Sequence, residues 1–509
     1  MSMNQEIRRI VNHLLDRCDL PLESTPIDEE FFQTCVEDAA ARGFPMEASP
    51  GVPSFRPFIM CGVFVACTAY GHLESLSTRM YIALYTSSVT YVDDVYNNQP
   101  NLPKAFCHNF IMHLPQETSV LRAFDQLLRE TWRHFDGVQA NFIIASSMYY
   151  MNAVAIEHGI RPLETQTSDF FQFFRGLSGN SSSFCVFIFP NDVPPNSYIQ
   201  ALPFMMDYVN YMNDVLSFYK EEVNGEDTNI ITILSMQRAA PKIAILEQLA
   251  NLVASSYVSA NDILGTSSDA AQNDGLGMSL SPGPLSKFHP FGSLISSDVD
   301  VSAVCAKVPV MTKQVTLLLS QASECTVKVR KPLLNMSQEI ARIVNNLLSR
   351  CDLALSSMPV DDGFLQLCLE DAATRGCPME ASPGIPSFRP WNLSGATIAY
   401  ISYGHLESLP AKLFIALYTS LAVYAEDVYT DQPDLVNTFN ANFVTRQPQR
   451  TAILQALDKL LGETSRHFDA VQANLITSST LNFMTSIAIE HGVDKLDVRS
   501  ATLGTLSCY

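Results

Sequence analysis

Basic side chains are scarce in this chain of 509 residues, which carries 32 lysines and arginines against 52 aspartates and glutamates. The formal net charge is −20 at pH 7. A surface that binds nucleic acid needs clustered lysine and arginine against the phosphate backbone, so this composition excludes a general nucleic-acid surface. An acidic protein still binds a phosphorylated small molecule when a divalent metal ion reverses the local field.

Paired cysteines and long apolar runs are also lacking. None of the twelve cysteines forms a C-x-x-C pair, which argues against a zinc ribbon or a disulfide framework and for buried thiols in a reducing compartment. The amino-terminal stretch is charged and amphipathic, unlike a signal peptide. The most apolar run, residues 58–70, is too short to cross a bilayer. We therefore expect a cytoplasmic protein without a transmembrane segment.

Alternating strand patterns are scarce, whereas helical periodicity is common. Apolar residues recur with a helical period over residues 6–18. The acidic stretch from Asp28 predicts the start of a second helix, and Gly43 its end. Further helices are predicted over 58–72, 76–96, 117–136, 137–158, 166–177 and 197–222. The predicted fold class is all-α.

An internal repeat organises the chain. Residues 3–20, 43–58, 70–76, 133–143 and 155–159 return, closely matched, 333 positions later, and the correspondence stops near residue 160. We predict three parts: a helical domain at 1–257, a linker or disordered segment at 258–335, and a truncated second helical unit at 336–509. The middle segment is rich in serine, glycine and proline, and no arginine lies between Arg238 and Arg330.

Three oxygen-bearing side chains follow one another at four-residue spacing in the first copy only. Asn213, Ser217 and Glu221 lie in the sequence NDVLSFYKE, and this spacing places all three on one helix face. Oxygen ligands of this kind are those that Mg²⁺ prefers. Lys220 adds a positive charge nearby. The stretch therefore predicts a site for metal and phosphate.

A second acidic motif ends a long apolar helix, at Asp93 and Asp94 in the sequence DDVYN. Adjacent carboxylates at a helix carboxyl end repel each other and face the negative end of the helix dipole. A divalent cation would offset this cost, whereas a solvated helix end is the alternative. A third motif, FRGLSG, contains Arg175, whose guanidinium fork suits an oxyanion.

With these motifs, the first copy resembles the fungal class I terpene synthases of the trichodiene synthase type. The resemblance covers about residues 1–240 and, in truncated form, 336–500. It implies an α-helical bundle with a deep apolar cavity, in which three Mg²⁺ ions and basic side chains trigger departure of diphosphate from farnesyl diphosphate. A sesquiterpene would be the product, and a homodimer is one assembly to test.

The resemblance also assigns roles to residues of this chain. Asp93 would bind two of the metal ions with support from Asp94, and the triad residues Asn213, Ser217 and Glu221 would hold the third. Arg175 and Lys220 would bind the diphosphate. The cavity walls that stabilise a carbocation would come from Tyr85, Val89, Phe174, Tyr211 and Phe218. Core packing is the more common role of such residues.

Departures from the family pattern leave alternatives open. The arginine–tyrosine pair that relatives carry in a late helix falls in the arginine-free segment and is absent. The second copy has Glu426 and Asp427 at its acidic motif, Thr430 in place of Asn97, and no triad. It therefore reads as a non-catalytic remnant. A catalytically inactive fused duplicate is the main alternative function, and a helical metal-dependent phosphohydrolase is a third.

Overall fold

The computed structural model describes residues 3–18, 28–96, 98–159, 168–225, 229–273, 360–429 and 432–492. Within these ranges the chain is helical, and the only strand-like pairings are two isolated bridges, Ser49 with Val52 and Ser382 with Ile385. The predicted all-α class is confirmed. Asn97, Thr430 and most of the predicted linker lie outside the described residues.

Twelve described helices precede the predicted linker or run into it. They are α1 (Met3–Arg17), α2 (Glu29–Ala41), α3 (Arg56–Thr68), α4 (Leu76–Tyr96), α5 (Asn101–Met112), α6 (Ser119–Arg129), α7 (Gly137–Gly159), α8 (Ser168–Ser178), α9 (Ser181–Val186), α10 (Leu202–Asn224), α11 (Ile230–Arg238) and α12 (Lys242–Asn273).

Six described helices follow in the second copy. They are α13 (Asp362–Thr374), α14 (Arg389–Ser402), α15 (Leu409–Val428), α16 (Pro433–Thr445), α17 (Ala452–Leu461) and α18 (Ala470–Gly492). The repeat in sequence is thus also a repeat in helix boundaries. Helices α2 and α13, and likewise α7 and α18, begin and end 333 residues apart.

Local chemistry explains several boundaries. The Asp28 side chain accepts a hydrogen bond from the Phe31 amide (3.0 Å) and caps α2 as predicted. Gly43 adopts a φ of 86° just after that helix. The helix predicted at 117–136 is shorter, because α6 ends at Arg129 and a 3₁₀ turn follows. Helix α5 was not predicted; its Pro103 lies in the first turn, where proline removes no helical hydrogen bond.

The described chain forms two compact units that cut across the repeat. Of the described residues, the first unit contains those up to 273 together with 432–447 and 469–492, and the second contains 360–429 and 448–468. In the first unit α10 packs against α9 and α12, and α7 packs against α5, α8 and α9. In the second unit α14 packs against α13 and α15.

Helix α12 runs across the boundary that composition places at residue 258. Its segment Lys242–Gly265 is the one described helix long and apolar enough to span a membrane, and half of its most apolar window is buried inside the protein. It packs against α1 and α10, with Leu246 and Val253 fully buried. With these contacts, α12 is a core helix of the first unit.

Candidate active site

The acidic end of α4 carries two adjacent carboxylates whose pKa values are both raised. Asp93 is exposed, yet burial by the surrounding protein raises the pKa of its carboxyl to about 6, with a further contribution from the charge of Asp94. The positive charge of Arg175 opposes the shift. Asp94 also has a raised pKa through burial, and the charge of Lys220 opposes it.

The triad lies on helix α10, which also carries Lys220. Asn213, Ser217 and Glu221 are all partly exposed, whereas Val215 and Phe218 between them are fully buried. This alternation follows from the helical period, which turns the three oxygen-bearing residues to one side. The predicted common face therefore exists, and Lys220 lies close enough to Asp94 for their charges to interact.

Arg175 joins α8 to α10. Its Nη2 donates hydrogen bonds to the Asn213 side-chain oxygen at 2.9 Å and to the Asn210 carbonyl at 3.0 Å. The same nitrogen forms an ion pair with Asp214 Oδ1 at 3.0 Å. Burial nevertheless raises the pKa of Asp214, and the charge of Arg175 offsets only part of that shift. The structure thus brings Arg175 to the triad.

Part of this cluster remains unsatisfied. Within the described residues, Arg175 Nε and Asp214 Oδ2 are buried without a hydrogen-bond partner. Buried polar atoms without partners are rare in proteins and costly to maintain. A guanidinium and a carboxylate with free hydrogen-bonding capacity next to the triad therefore fit a site that receives a charged ligand.

Sequence reasoning missed Glu157, which it considered only as part of the repeated stretch 155–159. Burial raises the pKa of this carboxyl to about 7, the charge of Asp93 raises it further, and that of Arg175 lowers it. Tyr150, on the same helix α7, donates a hydrogen bond to the Val89 carbonyl (2.8 Å) and interacts with Asp93. The signal that identified Asp93, a carboxylate ending a long apolar helix, applies equally to Glu157.

Most of the aromatic residues considered as cavity walls belong to the core. Tyr85 and Phe218 have no exposed surface, and Tyr211 is buried. The Tyr85 hydroxyl forms hydrogen bonds with Ser147, Asn180 and Ser183. Asn180 directly follows the FRGLSG segment in sequence. Through these hydrogen bonds α9 is held against α4 and α7. Phe174 remains partly exposed beside Phe170, with ring centroids 5.7 Å apart.

The donor set suits Mg²⁺ better than a softer metal. Two adjacent carboxylates, an amide oxygen, a hydroxyl and a further carboxylate are all hard oxygen ligands. In the described part of the chain, no group of three or more histidine, cysteine, aspartate and glutamate side chains is placed to hold a metal. Any metal held here would thus depend on Asn213 and Ser217 as well as on the acids.

The acidic motif of the second copy is arranged differently. Asp427, the counterpart of Asp94, accepts a hydrogen bond from the Trp391 indole nitrogen at 2.7 Å. The first copy has Phe58 at the position of Trp391 and no donor there. An indole nitrogen donates one hydrogen bond and cannot bind a cation, so Trp391 ties Asp427 into the packing of the second unit.

Comparison with known proteins identifies a family and several relatives. The trichodiene synthase (TRI5) family profile matches residues 59–272. Alpha-cuprenene synthase COP6 of Coprinopsis cinerea is 33% identical over 254 residues, which are 50% of this chain and 78% of that protein. Terpene synthase BipA of Cochliobolus sativus is 31% identical over 46% of this chain and 72% of its own length.

Monoterpene synthase 25 of Postia placenta is 32% identical over 41% of this chain and 65% of its own length. All of these similarities fall on a stretch of about half the chain, and the family profile spans the acidic motif, Arg175 and the triad. The chain therefore belongs to the trichodiene synthase family of fungal terpene synthases and is a terpene cyclase of the lyase class.

Proposed function

We propose that this chain catalyses the Mg²⁺-dependent ionisation of farnesyl diphosphate and its cyclisation to a sesquiterpene, with release of diphosphate. The observation that carries the proposal is the position of Arg175, which donates to Asn213 and pairs with Asp214 while its charge acts on Asp93. One guanidinium thus connects the acidic motif with the triad, which is where a diphosphate bound between them would lie.

The metal ligands in this proposal are Asp93 and Asp94 on α4 and Asn213, Ser217 and Glu221 on α10, holding three ions between them. Bound Mg²⁺ would neutralise the charge that develops on the diphosphate as the carbon–oxygen bond breaks. No fixed protein base is needed for this step, because the bonding electron pair leaves with the diphosphate.

Arg175 and Lys220 have the role of binding the diphosphate oxygens. Guanidinium and ammonium groups form charge-assisted hydrogen bonds with phosphate, and these are stronger than neutral ones. When Arg175 turns to a diphosphate oxygen, it releases the Asn213 amide oxygen, which then becomes available as a ligand. The apolar space beside α10 would exclude water from the allylic cation. A cytosolic location is part of the proposal, supported by eight free thiols in the described chain.

The test is incubation of the purified full-length chain with farnesyl diphosphate and Mg²⁺, followed by gas chromatography and mass spectrometry of the volatile products. We expect a cyclic fifteen-carbon hydrocarbon that disappears with EDTA or in Asn213→Ala. Geranyl diphosphate is assayed in parallel, because one relative is named a monoterpene synthase. Free farnesol alone would instead support a phosphohydrolase.

A second candidate, a catalytically inactive duplicate, is favoured by one observation. No arginine lies between Arg238 and Arg330, so the late diphosphate-binding arginine that the resemblance implies has no counterpart in the first copy. Absence of any product from either substrate, in a protein whose thermal unfolding is cooperative, would favour this candidate over the cyclase.

A further inference from the structure

Four helices of the first compact unit come in two equivalent pairs. Helix α5 packs against α7 in the first copy, and α16 packs against α18 in the second. The two pairs also contact each other: α7 packs against α18, α5 against α18, and α16 against α7. In the repeat, α5 corresponds to α16 and α7 to α18. The contact of α5 with α18 is therefore equivalent to the contact of α16 with α7.

Hydrogen bonds repeat this exchange at individual positions. Asn141 donates to the Asn437 side-chain oxygen at 3.4 Å, and Asn474 donates to the Lys104 carbonyl at 3.1 Å. Because 474 is 141 plus 333 and 437 is 104 plus 333, the same two positions of the repeat meet twice. Reciprocal contact of position i with j and of j with i is the property of an interface with twofold symmetry.

A third pair marks the symmetry axis. His113 and Arg446 occupy one repeat position, and both have left-handed backbone conformations, with φ of 53° and 58°. Arg446 donates a hydrogen bond to the carbonyl of Met112, next to His113. Burial lowers the pKa of His113, and the charges of Arg129 and Arg446 lower it further. A position that meets its own counterpart lies close to a twofold axis.

Close packing supports the same view. A Cβ atom added to Gly137, at the start of α7, would lie 2.9 Å from the Asn437 amide nitrogen. Farther along α7, the Tyr149 hydroxyl donates to Ser479 Oγ at 3.2 Å. The contact therefore extends along α7 toward the end that carries Tyr150 and Glu157.

We propose that the face formed by α5 and α7 is a surface for pairing with its own copy, and that the second repeat occupies it within the same chain as a built-in partner subunit. The occupant is the segment containing α16 and α18. The chain then covers this surface with its own residues, and no second molecule is needed to cover it. The proposal does not depend on catalysis.

The test uses the full-length chain with a protease site inserted in the Ser-, Gly- and Pro-rich stretch after residue 282, and measures mass by size-exclusion chromatography with light scattering. We expect a monomer near 56.3 kDa before cleavage, and after cleavage two fragments that elute together in equal amounts. The variant Asn141→Asp with Asn437→Asp places two negative charges in contact and should separate the cleaved fragments. Asn141→Lys with Asn437→Asp should restore their association.

The matched control is Asn251→Asp with Gln366→Glu, which adds the same charge to each fragment on exposed helix surfaces and should leave the fragments together. Cleaved fragments of the Asp pair variant that still elute together would overturn the proposal. An uncleaved chain of twice the monomer mass that falls to monomer in the Asp pair variant would also overturn it, because the face would then hold a second molecule.

Discussion

Arg175 Nη2 donates a hydrogen bond to the side-chain oxygen of Asn213 at 2.9 Å. Arg175, the proposed diphosphate-binding residue, is therefore bonded to an oxygen that is proposed to bind metal. An amide oxygen that already accepts a hydrogen bond from a cation is a poorer ligand for a second cation. Free protein and substrate complex must therefore differ in the partner of Asn213, and metal and diphosphate should bind cooperatively.

The first prediction concerns Arg175→Met. Removal of the guanidinium frees the Asn213 oxygen and deletes a positive charge, so Mg²⁺ alone should bind several-fold more tightly in isothermal titration calorimetry. Turnover should fall by about 10²–10³, the usual loss when one preorganised charge donor is removed. Arg238→Met, at an arginine that bonds to Gln248 on the surface, is the control. Unchanged or weaker Mg²⁺ binding in Arg175→Met would contradict the competition.

The second prediction is that Asp93→Asn stabilises the metal-free protein as pH rises. The folded-state pKa of Asp93 is raised to about 6 from an ordinary value of 3.8. Below pH 4 the group is protonated in both states and costs nothing. Above pH 6 the folded protein must carry the charge. The variant should therefore gain nothing at pH 4 and on the order of 1 kcal/mol in unfolding free energy at pH 8, a value reduced for solvent screening.

Chemical denaturation at the two pH values measures this effect. Mg²⁺ should narrow the difference, because a bound cation compensates the charge in the native protein alone. A variant less stable than the parent at pH 8 without metal would refute the assignment of Asp93 to a desolvated site.

The third prediction concerns the repulsion between Asp93 and Glu157. The pKa of Glu157 is raised to about 7, so both carboxylates are ionised at pH 8. Each single neutralisation relieves the same repulsion. In a double-mutant cycle, Asp93→Asn with Glu157→Gln should therefore gain less stability than the sum of the two single variants, by about 1 kcal/mol.

Glu490→Gln is the matched control for that cycle, because Glu490 is the repeat counterpart of Glu157 and is exposed. Its combination with Asp93→Asn should be additive. The non-additive behaviour of the Glu157 pair should vanish at pH 4, where both carboxyls are protonated. Additivity at pH 8 would show that the charges of Asp93 and Glu157 do not interact.

The sequence predicted what depends on spacing along one helix. The common face of Asn213, Ser217 and Glu221 follows from the helical period, and the acidic end of α4 follows from its apolar run. The all-α fold follows likewise. Contacts between helices could not be predicted this way, because they depend on where helices cross. The ion pair of Arg175 with Asp214 is one example.

Glu157 illustrates a different limit. A carboxylate that ends an apolar helix is a pattern shared by Glu157 and Asp93, but the placement of α7 beside α4, which lets the two charges interact, is not encoded locally. The docking of α16 and α18 on α5 and α7 was hidden for a similar reason. The repeat is visible in the sequence, but the pairing surface is spread over positions from Lys104 to Tyr149.

The fourth prediction is that activity depends on one copy of the acidic motif. Asp427 is held by Trp391, and the second copy has no triad. Glu426→Gln with Asp427→Asn should therefore leave kcat/KM for farnesyl diphosphate within about twofold of the parent. The equivalent pair in the first copy, Asp93→Asn with Asp94→Asn, should lower it by at least about 10²-fold. Equal losses from both pairs would mean that the second copy takes part in the reaction.

The last prediction tests the polar network behind Arg175. The Tyr85 hydroxyl bonds to Ser147 at 2.7 Å, Ser183 at 2.9 Å and Asn180 at 3.1 Å, and all four residues are buried. Asn180 has a φ of 48° and is the N-cap residue of α9, five residues after Arg175. The network therefore holds the backbone that leads from the arginine into the core.

Tyr85→Phe leaves these buried polar groups short of a partner and should cost about 1–3 kcal/mol of unfolding free energy. Tyr70→Phe is the matched control, because its equally buried hydroxyl donates to the Phe184 carbonyl outside this network. If the network positions Arg175, then Tyr85→Phe should also raise the KM for farnesyl diphosphate, whereas Tyr70→Phe should affect stability alone. Equal KM values in the two variants would assign the network to packing and leave the position of Arg175 to its contacts with Asn213 and Asp214.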